Sequence, residues 1–113
     1  MSSQYRRGAD FERLVRSDLE RRGYLAMRAA GSKGATVDGA KIDILAMYPS
    51  ICDEAFFSGS PLRSRLLLVQ CKLSGIVSQS DKIRLISAAR KFGCASVIAS
   101  KTEEGIKYDI LSR

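Results

Sequence analysis

The sequence predicts an α/β domain in the order α-β-β-β-α-β-β, with a central mixed sheet flanked by helices. Three observations carry this. Two segments repeat apolar residues at helical spacing and each is followed by a glycine. Between and after them lie short apolar or β-branched runs of strand length. The 113 residues, 45% of them hydrophobic, supply one core and leave little room for a second, so residues 1–113 are expected to form one domain.

Helix one is expected from Ala9 to Arg22, where Phe11, Leu14, Val15 and Leu19 form a stripe and Gly23 stands where a helix end favours glycine. Tyr24 to Ala29 reads as a short strand running into the basic, glycine-flanked loop Gly31-Ser32-Lys33-Gly34. Lys41 to Tyr48 has the composition of a strand buried on both faces, except for Asp43 in its midst. Pro49 to Ser64 holds both prolines and Ser58-Gly59-Ser60, and is expected to be a long, partly mobile connection between antiparallel strands, with Phe56 and Phe57 packing onto the body.

Leu66 to Leu73 is the most apolar run and is expected to be a central strand, with Gln70 and Lys72 sharing one face near its end. A second helix is expected over Ser80–Phe92, with serines to cap it, Asp81 in its first turn and Gly93 past its end. Its apolar set is wide. Leu85, Ala89 and Phe92 form one stripe and Ile83 and Ile86 another, enough to cover the sheet and leave apolar surface for a second copy. Cys94 to Ala99 is a further strand, and Gly105 to Leu111 an edge strand paired with it across a turn near Glu103-Glu104.

Nineteen lysines and arginines against twelve acids give a net charge of +7, which favours a polyanionic partner, nucleic acid first. A membrane is the rival, but no apolar run of about 18 residues and no basic amphipathic tail supports it. The opening residues carry charge without the apolar stretch of a secretory signal, so an intracellular, cytoplasmic protein is expected. Cys52, Cys71 and Cys94 are widely spaced and histidine is absent, which argues against structural zinc, a disulfide framework and Ser-His or Cys-His nucleophiles. Carboxylate, lysine and metal chemistry remain, with no small-molecule cofactor expected.

Asp43 and the pair Gln70, Lys72 lie on strands expected to be neighbours, about 4.8 Å apart. A carboxylate, an amide carbonyl and an ammonium meeting inside an apolar sheet are costly to bury unless a cation or substrate balances them. Mg²⁺ accepts a few oxygen ligands and keeps several waters, so Asp43, Gln70 and the Cys71 backbone carbonyl suffice as ligands, with Glu12 of helix one in support and Mn²⁺ as a substitute. Lys72 is placed to orient a nucleophile and offset charge on phosphorus. Taken singly, each residue also fits a plainer role: an Asp43–Lys72 ion pair, a solvated Glu12, a Gln70 on an exposed edge.

The blocks Tyr5-Arg6-Arg7-Gly8-Ala9-Asp10-Phe11-Glu12-Arg13-Leu14, Arg22-Gly23-Tyr24 and Arg28-Ala29-Ala30-Gly31-Ser32-Lys33 resemble the opening of the archaeal-type Holliday-junction resolvases. Further on, Lys41-Ile42-Asp43-Ile44-Leu45-Ala46 resembles that family's metal-binding aspartate strand, Val69-Gln70-Cys71-Lys72 its E-V-K strand, and Asp81 to Gly93 its helix. The resemblance implies a PD-(D/E)XK restriction-endonuclease-like fold, a homodimer, Mg²⁺ dependence, and two symmetric nicks in a four-way DNA junction. It implies an active centre of Glu12, Asp43, Gln70 and Lys72, with Ser32 contacting the scissile region. Arg6, Arg7, Arg28 and Lys33 flank that centre and suit phosphate contacts.

The chain departs from the family in two respects. Gln70 replaces a glutamate, removing one negative charge, and the segments 34–40 and 49–65 are longer than the family's connections. Asp38 in the first of these competes with Asp43 for the aspartate role, and strand context favours Asp43. Two other readings stay open: a different PD-(D/E)XK DNA nuclease acting in restriction or repair, and a junction-binding module without catalysis.

Overall fold

The computed structural model describes residues 3–29, 35–37, 39–49 and 65–112, with side chains for 6–29, 37, 39–49 and 65–112. The elements in chain order are α1 (Ser3–Arg21), β1 (Leu25–Arg28), β2 (Ala35–Val37), β3 (Ala40–Ile42), β4 (Ile44–Met47), β5 (Leu66–Cys71), α2 (Gln79–Phe92), β6 (Ala95–Thr102) and β7 (Gly105–Ser112). The main sheet runs β1-β4-β5-β6-β7, and β2 and β3 form a separate hairpin. Only β5 and β6 pair in parallel, so the sheet is mixed, with α2 providing the crossover between them.

Helix α1 begins six residues before the expected Ala9, because its first turns carry no apolar signal to mark them. Phe11, Val15 and Leu19 are buried against Ala26, Ile44, Ala46, Leu67, Val69 and Val97 on one side of the sheet. Each such side chain contributes about 1.5–3 kcal/mol by leaving water. Leu14, expected in the same stripe, is 53% exposed, since its position turns it to the flank of the helix. After the helix, Gly23 takes φ +98°, and a Cβ there would meet the Tyr48 ring at 3.0 Å.

Helix α2 starts one residue before the expected Ser80, with the Ser78 hydroxyl accepting from the Asp81 N–H, and ends at Gly93 in the left-handed conformation. Leu85, Ala88 and Ala89 bury against Leu68, Ile98 and β3 residues Ala40 and Ile42 on the other side of the sheet. Phe92 is not part of this buried stripe: it sits in the last turn, 55% exposed, and Ile83 is exposed as well. The expected antiparallel pairing of β4 with β5 is present, whereas the connection 50–64 with Phe56 and Phe57 lies outside the described residues.

A polar clamp ties α1 to the edge strand. Tyr108 Oη donates to Asp18 Oδ2 at 2.6 Å, Arg22 Nε donates to the same oxygen at 2.9 Å, and the Arg22 guanidinium lies 5.2 Å from the Tyr108 ring centre. Burial by itself raises the Asp18 carboxyl, but the bonds from Tyr108 and Arg22 outweigh it and hold the carboxyl below its usual range. Stability from this source is therefore present above the unfolded-state pKa and is lost as pH falls through the lower folded one. Tyr108→Phe is expected to cost about 1–2 kcal/mol near pH 7, with the difference from the parent shrinking below about pH 3.8, as read from urea unfolding at both pH values.

Candidate active site

The strand expected to run unbroken from Lys41 to Tyr48 is interrupted at Asp43, and that break builds the site. In a regular strand, residues two apart share a face. Here Ile42 packs with the α2-side core and Ile44 with the α1-side core, so the chain changes phase at Asp43. Its backbone is held on both sides, with its N–H donating to the Val69 carbonyl at 2.9 Å and its carbonyl accepting from the Ala29 N–H at 2.9 Å. The side chain is 1% exposed, and its Oδ2 accepts from the Cys71 N–H at 2.8 Å.

Burial pushes the Asp43 carboxyl up, against the opposing effects of the Cys71 N–H and the charges of Lys41, Arg28 and Lys72. Glu12 is also raised, first by burial and then by the negative charge of Asp43, while Arg28 opposes. The two carboxylates thus sense one another. Arg28 Nε donates to Glu12 Oε1 at 2.9 Å, with both side chains largely buried. Lys41 Nζ stands 3.9 Å from Asp43 Oδ1. A cleft of about 300 Å³ opens here between Arg7, Glu12, Lys41, Cys71 and Lys72, roomy enough for a phosphate group and several waters of about 30 Å³ each.

Of the expected site residues, Glu12, Cys71 and Lys72 line this cleft, and the buried Asp43 adjoins it through Cys71 and Lys41. Lys72 is exposed just beyond β5, its N–H fixed to the Ala99 carbonyl at 2.8 Å. Gln70 is buried beside Ile98 and shares a face with Leu68 of the α2-side core; among the described residues no hydrogen bond joins it to Asp43. Arg6 and Arg7 are exposed on α1, whereas Arg28 is engaged by Glu12. Ser32, Lys33 and Asp38 lie outside the described residues. Lys41 was given no role by its sequence; its signal was a basic residue two positions from Asp43 inside an apolar run.

The donor set bears on a metal. Among the described residues no group of three histidine, cysteine or acidic side chains is placed to hold an ion. Two carboxylates raised chiefly by burial, with Asp43 adding to the rise at Glu12, beside an open cleft still fit a hard divalent cation that keeps most of its water. Burial, then Asp43 and Glu12, push the Cys71 thiol far up, which disfavours a thiolate ligand there.

The family described as archaeal Holliday junction resolvase (Hjc) matches residues 3–52. A curated relative, the crossover junction endodeoxyribonuclease Hjc of Methanocaldococcus jannaschii, is 29% identical over 105 residues. That match takes in 89% of this chain but 63% of the relative, so the chain spans under two thirds of that protein's length. The solved structure of Archaeoglobus fulgidus Hjc, a Holliday junction resolvase, superposes with a TM-score of 0.66 at 22% identity, over 92% of this chain and 77% of that one. Its likeness bears out the α/β fold expected, a mixed sheet flanked by helices. In sequence over residues 3–52 and in fold over nearly its whole length, the chain is similar to the archaeal-type Holliday junction resolvases.

Proposed function

We propose that residues 1–113 form one nuclease domain that resolves four-way DNA junctions by divalent-metal-dependent phosphodiester hydrolysis, acting as a homodimer that makes two symmetric nicks. The observation that carries this is the buried Asp43 carboxylate, pinned to the β5 backbone one residue before Lys72 and near enough to Glu12 of the basic cleft to raise its carboxyl. The relatives' printed names point the same way. Such a substrate sets the work of the protein inside a cell. No described helix is long and apolar enough to cross a membrane.

Glu12, Asp43, the Gln70 amide oxygen and the Cys71 backbone carbonyl are the proposed ligands of Mg²⁺, with Mn²⁺ as a substitute. When bound, the ion lowers the pKa of a coordinated water and offsets charge on the phosphate. Lys72 holds the attacking oxygen in line and neutralises charge growing on the scissile phosphate. Arg6, Arg7 and Lys33 grip flanking phosphates, which position the duplex arms without reading sequence, and Ser32 lies against the scissile strand. Arg28 keeps the Glu12 carboxylate oriented.

A second copy is supported by one face of the sheet. Leu25 lies opposite Met47 and Met27 opposite Leu45, and all four side chains are exposed on the side away from α1. Two adjacent apolar rungs make a patch of the sort that self-association covers, and a two-fold axis supplies the second cut.

The deciding experiment compares a four-way junction with linear duplex of the same sequence under Mg²⁺, with Asp43→Asn as control. Cleavage confined to the junction is expected; equal cutting of both would point to a restriction- or repair-like nuclease. Gln70, neutral where a third acid would serve, favours the alternative of a non-catalytic junction binder. That reading requires inactivity with both Mg²⁺ and Mn²⁺. Gln70→Glu is expected to leave cutting intact and lower the Mg²⁺ concentration needed by about tenfold, read from a metal titration of cleavage rate.

A further inference from the structure

Three cations face the two carboxylates of the cleft, and two have evident work: Arg28 is locked to Glu12 at 2.9 Å, and Lys72 is the lysine of the proposed nuclease centre. Lys41 is the third. Its backbone is fixed in the β2–β3 hairpin, where it pairs with Thr36, while its side chain is 49% exposed and lines the same cleft as Lys72. At 3.9 Å from Asp43 Oδ1 its ammonium is beyond hydrogen-bonding distance, and the other carboxylate oxygen is already taken by the Cys71 N–H. A half-exposed pair at that distance adds little stability, so fold maintenance is a poor account of it.

Charge supplies a better one. Glu12 and Asp43 against Arg7, Arg28, Lys41 and Lys72 leave the cleft with two excess positive charges, before any divalent cation enters. A metal ion is then repelled until phosphate arrives. We infer that Lys41 is a phosphate-binding residue that neutralises Asp43 in the DNA-free protein and moves to the phosphate next to the scissile bond when DNA binds, so that metal and DNA bind cooperatively. This rests on the nuclease reading of the same site and deepens it. By linkage, whatever DNA does to metal affinity, metal does equally to DNA affinity, and Lys41 carries a share of that coupling.

The test uses the full chain and the variants Lys41→Met, Lys41→Arg and Asp43→Asn, with Mn²⁺ as the metal probe. Binding of Mn²⁺ to the DNA-free protein, followed by the electron paramagnetic resonance of the free ion, is expected to tighten about fivefold in Lys41→Met. The same variant is expected to bind a four-way junction more weakly in EDTA, with the slope of log affinity against log salt reduced by about one, and Lys41→Arg to restore that slope. Parental Mn²⁺ affinity and parental salt slope in Lys41→Met would overturn the role of Lys41. If the parent binds Mn²⁺ at a site that Asp43→Asn abolishes, the nuclease reading survives that failure. If the parent shows no such site, both fall together.

Discussion

Asp43→Asn is expected to reduce junction cleavage at least about a thousandfold, roughly 4 kcal/mol of barrier, while making the metal-free protein more stable rather than less. The loss of cutting follows from removing the charged ligand at the centre of the donor set. The gain in stability follows from burial. Asp43 is 1% exposed, and burial makes its negative charge costly in the absence of a cation. Asparagine is isosteric, and its carbonyl oxygen still accepts the Cys71 N–H, so the strand junction survives. A gain on the order of 1 kcal/mol is expected near pH 7. Because the folded pKa of Asp43 is raised, the carboxyl supports folding fully below its unfolded value and progressively less as pH rises through the folded one. The advantage of asparagine should therefore fade on acidification and vanish below about pH 3.8. Thermal unfolding at several pH values checks this. A destabilised, inactive variant would show that Asp43 serves the fold alone.

Lys72→Ala is expected to lower the cleavage rate by about a hundred- to a thousandfold while junction affinity stays near parental. Its side chain is exposed in the cleft, so it loses no core packing. Its backbone N–H, bonded to the Ala99 carbonyl, is retained by alanine. Stability should therefore change by less than about 0.5 kcal/mol. Single-turnover cleavage at saturating protein, set beside binding measured in Ca²⁺ or EDTA, separates this from a binding defect. Loss of junction affinity equal to the loss of rate would make Lys72 a phosphate contact and remove it from the chemistry.

Where side-chain chemistry and local period decide the outcome, the sequence was legible. The serine cap and closing glycine of α2 are short-range features and stand at or within a residue of their expected places. Asp43 and Lys72 stood out as charges within apolar strands; Lys72 lines the cleft, and Asp43 is buried against its Cys71 and Lys41. The interruption of the strand at Asp43 was not legible, since Ile42 and Ile44 are equally apolar and nothing in them tells that they enter opposite cores. Phe92 and Leu14 have the right period for burial, but a helix end and a helix flank find no partner to cover them.

Composition, period and charge thus determined by themselves that the chain makes an α/β sheet with a basic surface and a carboxylate–lysine pair on neighbouring strands. Only the tertiary structure decided which charges meet. Glu12 and Arg28 are 16 residues apart, and Asp18 and Tyr108 are 90 apart, so their pairing depends on how α1 lies across the sheet. Local sequence fixes the energy of each residue in its own strand or helix. Electrostatic partnership depends on distance in space, and the chain sets that distance only when its core is packed.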